Sequence, residues 1–115
     1  MKQSKIGGIF PALLTPLQGL FVCGTTGEGP LMTLAERKQM VEEIVGAVGK
    51  KVTVIAHTGC FDTASTIELT QHAQKVGAAA AGVVTPGFFT FDDECLYTHF
   101  KTVAESVKGF PILLY

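Results

Sequence analysis

Three times along the chain, an apolar run is followed by a loop rich in Gly, Thr or Pro and then by a segment of helical periodicity. Apolar runs begin near residues 19, 52, 80 and 111, a spacing of about 30 residues, the length of one strand–loop–helix unit. The runs are near-continuously apolar rather than alternating, which fits strands of a parallel sheet covered on both faces. Parallel neighbours need a crossover of about a dozen residues or more, and each helical segment supplies one. The repeat therefore predicts α/β architecture, with one domain over residues 1–115.

The first unit runs Gly19-Leu-Phe-Val-Cys23, then Gly24-Thr-Thr-Gly-Glu-Gly29, then a helix over about 34–48. Thr33 and Glu36 form a T-x-x-E capping box, Met40, Val41, Ile44, Val45 and Val48 make one stripe, and Gly49 stops the helix. The second is Val52-Thr-Val-Ile-Ala56, then His57-Thr-Gly-Cys-Phe61, then a helix from an Asp62 or Thr63 cap to Val76 before Gly77, with Ile67, Ala73 and Val76 expected inside. The third is Ala80-Ala-Gly-Val-Val84, then Thr85-Pro-Gly-Phe-Phe89, then a helix over about 93–107 with a stripe of Leu96, Tyr97, Phe100, Val103, Ala104 and Val107. Gly109 and Pro111 end that helix, and Pro111-Ile-Leu-Leu-Tyr115 reads as a further strand.

One break interrupts the pattern. Gly8-Ile-Phe-Pro-Ala-Leu-Leu-Thr-Pro16 reads as a strand, yet only Leu17 and Gln18 separate it from the next apolar run. Two residues cannot carry a right-handed crossover. The two runs make an antiparallel hairpin, or the crossover helix has been deleted, or the sequence skips residues of the native molecule.

Charge and cysteine usage exclude several function classes. A net charge of −1 gives no basic footprint for nucleic acid or an anionic membrane surface. Every apolar run is broken well before the ~18 residues a membrane helix needs, and the Met1–Lys5 start followed by Pro11 lacks a cleavable leader pattern, so a cytoplasmic protein is expected. Cys23, Cys60 and Cys95 form no CxxC pair, so free thiols, buried or half-buried, are expected, with no metal site. His72 and His99 fall within helices at no ligand spacing, whereas His57 ends a strand, where a site residue can stand.

Gly24-Thr-Thr-Gly-Glu28, together with Phe10-Pro-Ala-Leu-Leu-Thr-Pro16, Val84-Thr-Pro86 and Ile112-Leu-Leu-Tyr115, resembles the dihydrodipicolinate synthase and N-acetylneuraminate lyase family of pyruvate-dependent Schiff-base aldolases. The resemblance implies a partial (β/α)8 barrel, roughly its first four to five strands with the first crossover helix missing. It implies a small 2-oxo acid substrate such as pyruvate, imine chemistry without a cofactor, and a homo-oligomer. Thr26 matches the threonine that holds the substrate carboxylate, Thr25 the hydroxyl that relays protons and also contacts substrate, and Tyr115 the tyrosine that delivers protons to the reacting carbonyl. Glu28 is expected to be structural, bonding loop or helix-start N–H groups.

The loop chemistry is reasonable by itself. A Gly-Thr-Thr-Gly turn at the C-terminal end of a parallel strand puts small residues and clustered N–H groups where a carboxylate can approach the backbone. The bland alternative is a glycine-rich turn whose threonines bond their own backbone. As a phosphate loop it fails, because its spacing is GxxGxG and no Gly-Lys-Ser/Thr follows.

Two departures limit the resemblance. None of the eight lysines falls at the C-terminal end of a strand, where an imine-forming amine must stand, so the chain as written is expected to be inactive alone. Phe88 occupies the place of a tyrosine that completes the dihydrodipicolinate synthase proton relay, which leaves other 2-oxo-acid aldolases open. A sheet of four or five strands exposes its edges and an apolar face, so association or aggregation is expected. A reading from another class is a non-catalytic half-barrel module that pairs with a second chain.

Overall fold

The computed structural model describes residues 19–115. The strand expected at 8–16 and the Leu17-Gln18 junction lie outside them. The remaining elements alternate: β1 (Gly19–Val22), α1 (Leu34–Val48), β2 (Thr53–His57), α2 (Thr63–Val76), β3 (Ala80–Val83), α3 (Asp93–Glu105) and β4 (Ile112–Leu114). A single 3-10 turn, Gly29–Leu31, precedes α1.

The strands form one parallel sheet in the order β1-β2-β3-β4. Consecutive order with no reversal is the arrangement of a barrel wall rather than of a doubly wound sheet, which carries a switch point. α1 packs on α2 and α2 on α3, so the helices form one layer. Leu20, Val22, Val54 and Ala56 meet Val41, Ile44, Val45 and Ala73 in the core between sheet and helices. Side chains alternate along a strand, so Phe21, between Leu20 and Val22, projects from the opposite face. That face is open among the described residues: Phe21 is 38% exposed and Leu113 47%.

Helix starts follow the expected signals. Thr33 Oγ1 accepts from the Glu36 N–H while Glu36 accepts from the Thr33 N–H, which completes the capping box. Asp62 caps α2 and Asp92 caps α3, each accepting from the N–H three residues on. Gly77, with φ 91°, ends α2 in the left-handed region that favours glycine.

α3 stops at Glu105 rather than at Val107, because Ser106 N–H and Oγ both turn back to the Val103 carbonyl and tighten the last turn. Its buried residues are His99 and Val103, with Val107 buried just beyond its end, while Tyr97 stays 64% exposed and Ala104 also faces solvent. On α2, Ala73 is buried as expected, but Ile67 and Val76 are only half-buried. The deeper positions belong to Leu69 and two threonines. Thr70 donates to the Thr66 carbonyl, so Thr58 Oγ1 is the donor in its 2.8 Å bond to Thr70 Oγ1. Thr66 Oγ1 accepts from the Cys60 N–H and donates to the Asp62 carbonyl.

The α1 cap sets a first prediction. Thr33→Ala removes one half of the box and is expected to lower stability by about 1 kcal/mol, read as a lower urea midpoint at unchanged m-value.

Candidate functional site

In a parallel sheet every loop that follows a strand emerges at the same edge. Residues 23–29, 57–61, 84–89 and Tyr115 therefore gather at the C-terminal edge of these strands, the edge on which barrel active sites are built.

The turn after β1 is held from below. The Gly29 N–H donates to the Gly24 carbonyl at 3.1 Å and the Glu28 N–H to the Thr25 carbonyl at 3.0 Å. A Cβ on Gly29 would stand 1.9 Å from the Cys23 carbonyl oxygen, so only glycine closes this turn. The N–H groups of Thr25, Thr26 and Gly27 have no backbone partner among the described residues. Both threonines are exposed, and neither hydroxyl bonds its own backbone there. The turn thus keeps three successive N–H groups without a backbone partner among the described residues, donors of the kind an anion can use. Glu28 departs from expectation: at φ 55° it makes no side-chain cap bond, and it is the backbone of Glu28 that braces the loop.

Tyr115 is fixed at its backbone. Its N–H donates to the Val83 carbonyl at 3.0 Å and its carbonyl accepts from the Thr85 N–H at 3.2 Å. Its ring lies 5.8 Å from Phe21 and 6.2 Å from His57 between centroids, and Phe21 and His57 are 5.8 Å apart. Phe21 in turn lies over two glycines: a Cβ on Gly82 would come 2.5 Å from its ring, and one on Gly24 3.0 Å. The structure thereby joins Tyr115 to His57 and Phe21, while Thr25 and Thr26 stand in the loop that follows Phe21.

Arg37 organises the end of β2, and the sequence reading did not single it out. It is 4% exposed; Nη1 donates to the Gly59 carbonyl and Cys60 Sγ, and Nη2 to the His57 carbonyl and Nδ1. A signal was present, since Arg37 lies four residues before Val41 on the buried stripe of α1. Burial and the adjacent guanidinium hold the His57 imidazole down to about 4. Burial raises the Cys60 and Cys23 thiols against the opposing pull of Arg37. Cys95, expected to be buried or half-buried, is exposed on α3, where its bond to Asp92 raises its thiol.

A groove of about 490 Å³ runs between the start of α2 and α3, lined by Phe61, Phe91 and His99 among others. It lies apart from Thr25, Thr26 and Tyr115, none of which line it. His99 Nδ1 shares a 2.8 Å hydrogen bond with Thr63 Oγ1, and His72 stands 3.5 Å from Glu42. The described lysines occupy helices (Lys38, Lys75, Lys101) or the segments just after them (Lys50, Lys51, Lys108), none at the C-terminal ends of the strands. No described helix is long and apolar enough to cross a membrane.

The chain matches the sequence model of the Dihydrodipicolinate synthetase family over residues 10–115. It belongs to that family. A 4-hydroxy-tetrahydrodipicolinate synthase of Afipia carboxidovorans is 41% identical over 135 positions, covering 98% of this chain and 45% of the relative. A protein of the same name from Coxiella burnetii is 45% identical over 95 residues, 83% of this chain and 33% of the relative. Among solved structures, dihydrodipicolinate synthase from Aquifex aeolicus superposes with a TM-score of 0.82 at 42% identity, over 84% of this chain and 33% of that one. The N-acetylneuraminate lyase of Mycoplasma synoviae, at 24% identity and TM-score 0.81, shares the fold.

The family chain thus spans from a third to 45% of the length of these relatives, corresponding to the N-terminal part of a (β/α)8 barrel. The Afipia match is longer than this 115-residue chain: about 113 residues are spread over 135 positions, leaving about 22 positions of the relative without a counterpart.

Two predictions follow from the geometry. Unfolded, His57 takes up a proton near 6.5, whereas in the fold it stays neutral to about 4. The unfolded chain therefore binds more protons in this window, and stability falls as pH drops from about 6.5 to about 4. His99, lowered by burial, acts in the same direction. Urea titrations at about pH 7.5 and about pH 5 should show the loss, and His57→Phe should lessen it without abolishing it. Gly82→Ala should displace Phe21 and cost about 1–3 kcal/mol, seen in the same titration.

Proposed function

We propose that the chain is the substrate-carboxylate half of a Schiff-base aldolase acting on pyruvate or a related 2-oxo acid. The observation that carries this reading is the Gly24–Gly29 turn, whose three N–H groups and two threonine hydroxyls lack a partner among the described residues at the C-terminal edge of a family barrel wall. Thr26 holds the carboxylate by its hydroxyl and N–H, Thr25 contacts substrate and relays the proton, and Tyr115 delivers it to the reacting carbonyl. One relative of known structure, the E. coli K12 prophage protein YagE, 36% identical over 85% of this chain, was solved in complex with pyruvate. The imine-forming lysine is none of this chain's eight, since the six described stand away from the C-terminal strand ends and Lys2 and Lys5 precede the first expected strand, so this chain alone does not perform the carbon–carbon step. Phe88, 89% exposed, brings no hydroxyl to a relay, which supports the broader 2-oxo-acid class over lysine biosynthesis in particular.

The open apolar face supports association, either in a homo-oligomer or with a second chain that completes the barrel as a non-catalytic half would. Leu114 at 67% and Leu113 at 47% exposure stand on the β4 edge strand, where an eight-strand barrel continues. Free thiols throughout fit a reducing compartment, the cytoplasm.

Intact mass after incubation with pyruvate and borohydride tests the reading. The 12.2-kDa chain is expected to stay unmodified, while the active protein from its source carries one reduced pyruvate on a lysine that is none of this chain's eight. An adduct on any of those eight would overturn it. An adduct on a separate co-purifying polypeptide would favour the paired half-barrel. In the active protein, Thr25→Val should lower kcat about 100-fold.

A further inference from the structure

The one buried charged residue on α1 reaches the proposed proton donor through a histidine that the aldolase chemistry does not require. We propose that Arg37 and His57 are positioning residues for Tyr115: the guanidinium locks the imidazole, and the imidazole, packed at right angles to the phenol ring, sets where the Tyr115 hydroxyl stands. This rests on the reading of Tyr115 as proton donor given above.

Arginine carries only donors, so the His57 Nδ1 that lies 3.1 Å from Arg37 Nη2 must be the acceptor. The same Nη2 donates to the His57 carbonyl at 2.7 Å, which ties the ring to its own backbone. A neutral ring with an accepting Nδ1 bears its hydrogen on Nε2. The groups packed against this ring or bonded to it are Arg37 from α1, Phe21 from β1, Tyr115 after β4, and Gly59 from its own loop, with Cys60 beyond on Arg37. Among the described residues they include no side-chain carboxylate that would favour imidazolium, and the bond from Arg37 to Nδ1 sets the tautomer.

Nε2 is buried and has no nitrogen or oxygen partner among the described residues. The ring stands at 85° to Phe21 and 86° to Tyr115. Perpendicular aromatic contacts are directional, and a ring face accepts an N–H weakly. Phe21 cannot retreat from or advance on this arrangement freely, because it lies against Gly24 and Gly82. Tyr115 is pinned at its backbone, but its side chain is 64% exposed and rests on these two rings. Its orientation is therefore set by one neighbour held by glycines and one held by Arg37. Proton delivery is sensitive to such placement, since an error of about 1 Å costs about 100-fold in rate.

The isotopically labelled chain tests this by NMR, with only His57, His72 and His99 and only Tyr97 and Tyr115 to assign. Wild type is expected to show His57 as the Nε2-protonated neutral tautomer at neutral and mildly acidic pH, with cross-relaxation between its ring and that of Tyr115. Arg37→Lys and His57→Ala should shift and broaden the Tyr115 ring signals while leaving those of Tyr97 in place, and His57→Phe, which keeps a ring, should largely restore them. An Nδ1-protonated His57, or Tyr115 signals unmoved in folded His57→Ala, would overturn the proposal. Should the variants fail to fold, the wild-type tautomer and the ring contact decide it. In the active protein, His57→Ala should lower kcat about 100-fold with KM for pyruvate nearly unchanged. Absence of pyruvate chemistry in the protein from its source would defeat the aldolase reading and leave the NMR result to judge the positioning.

Discussion

Parallel pairing in consecutive order is the constraint from which the rest of the molecule follows. Each strand must be re-entered from the same end, so each is followed by a loop at one edge and a helix that returns along the sheet. The Gly24–Gly29 turn, the His57–Phe61 segment, the aromatic loop after β3 and Tyr115 are thereby collected without any contact needing to attract them over a distance. Small residues in β3 then matter, because Gly82 leaves room for Phe21 to cross from β1 and meet Tyr115 beyond β4.

Between sheet and helices the core is only partly apolar. Arg37 on α1 and Thr66 and Thr70 on α2 are buried, and their bonds run mainly to the segment that follows β2. A loop segment that enters the interior brings backbone groups that must be paired, and these side chains supply the partners. The carbonyls of His57 and Gly59 receive the guanidinium, and the Cys60 N–H receives a threonine oxygen. The arrangement fixes the end of β2 more firmly than apolar packing would, because a hydrogen bond specifies direction where dispersion does not.

The open face shows the opposite economy. Phe21, Leu113 and Tyr115 remain substantially exposed among the described residues. The relatives are longer, and this chain covers from a third to 45% of their length. The C-terminal edge gathers the Gly24–Gly29 turn and Tyr115, while the described lysines lie elsewhere.

Much of the fold was legible in the sequence because it is written in local signals. Strand starts, the T-x-x-E box at Thr33 and Glu36, the Asp62 cap and the Gly77 stop each depend on a few neighbouring residues and a fixed period, and each appears where those signals put it. The end of α3 and the exposure of Tyr97 were not legible, because a Ser106 back-bond and the absence of a covering neighbour decide them. The Gly-Thr-Thr-Gly turn was legible as a strand-end loop with closely spaced N–H groups, since these lie within a few residues of one another. The sequence by itself determined the elements, their order and the loop chemistry, for these are short-range properties of backbone torsion and hydrophobic period. Only the tertiary structure decided that Arg37 holds His57 and that His57 meets Tyr115, because residues 20 and 58 positions apart are joined by strand pairing and burial, which no local pattern encodes.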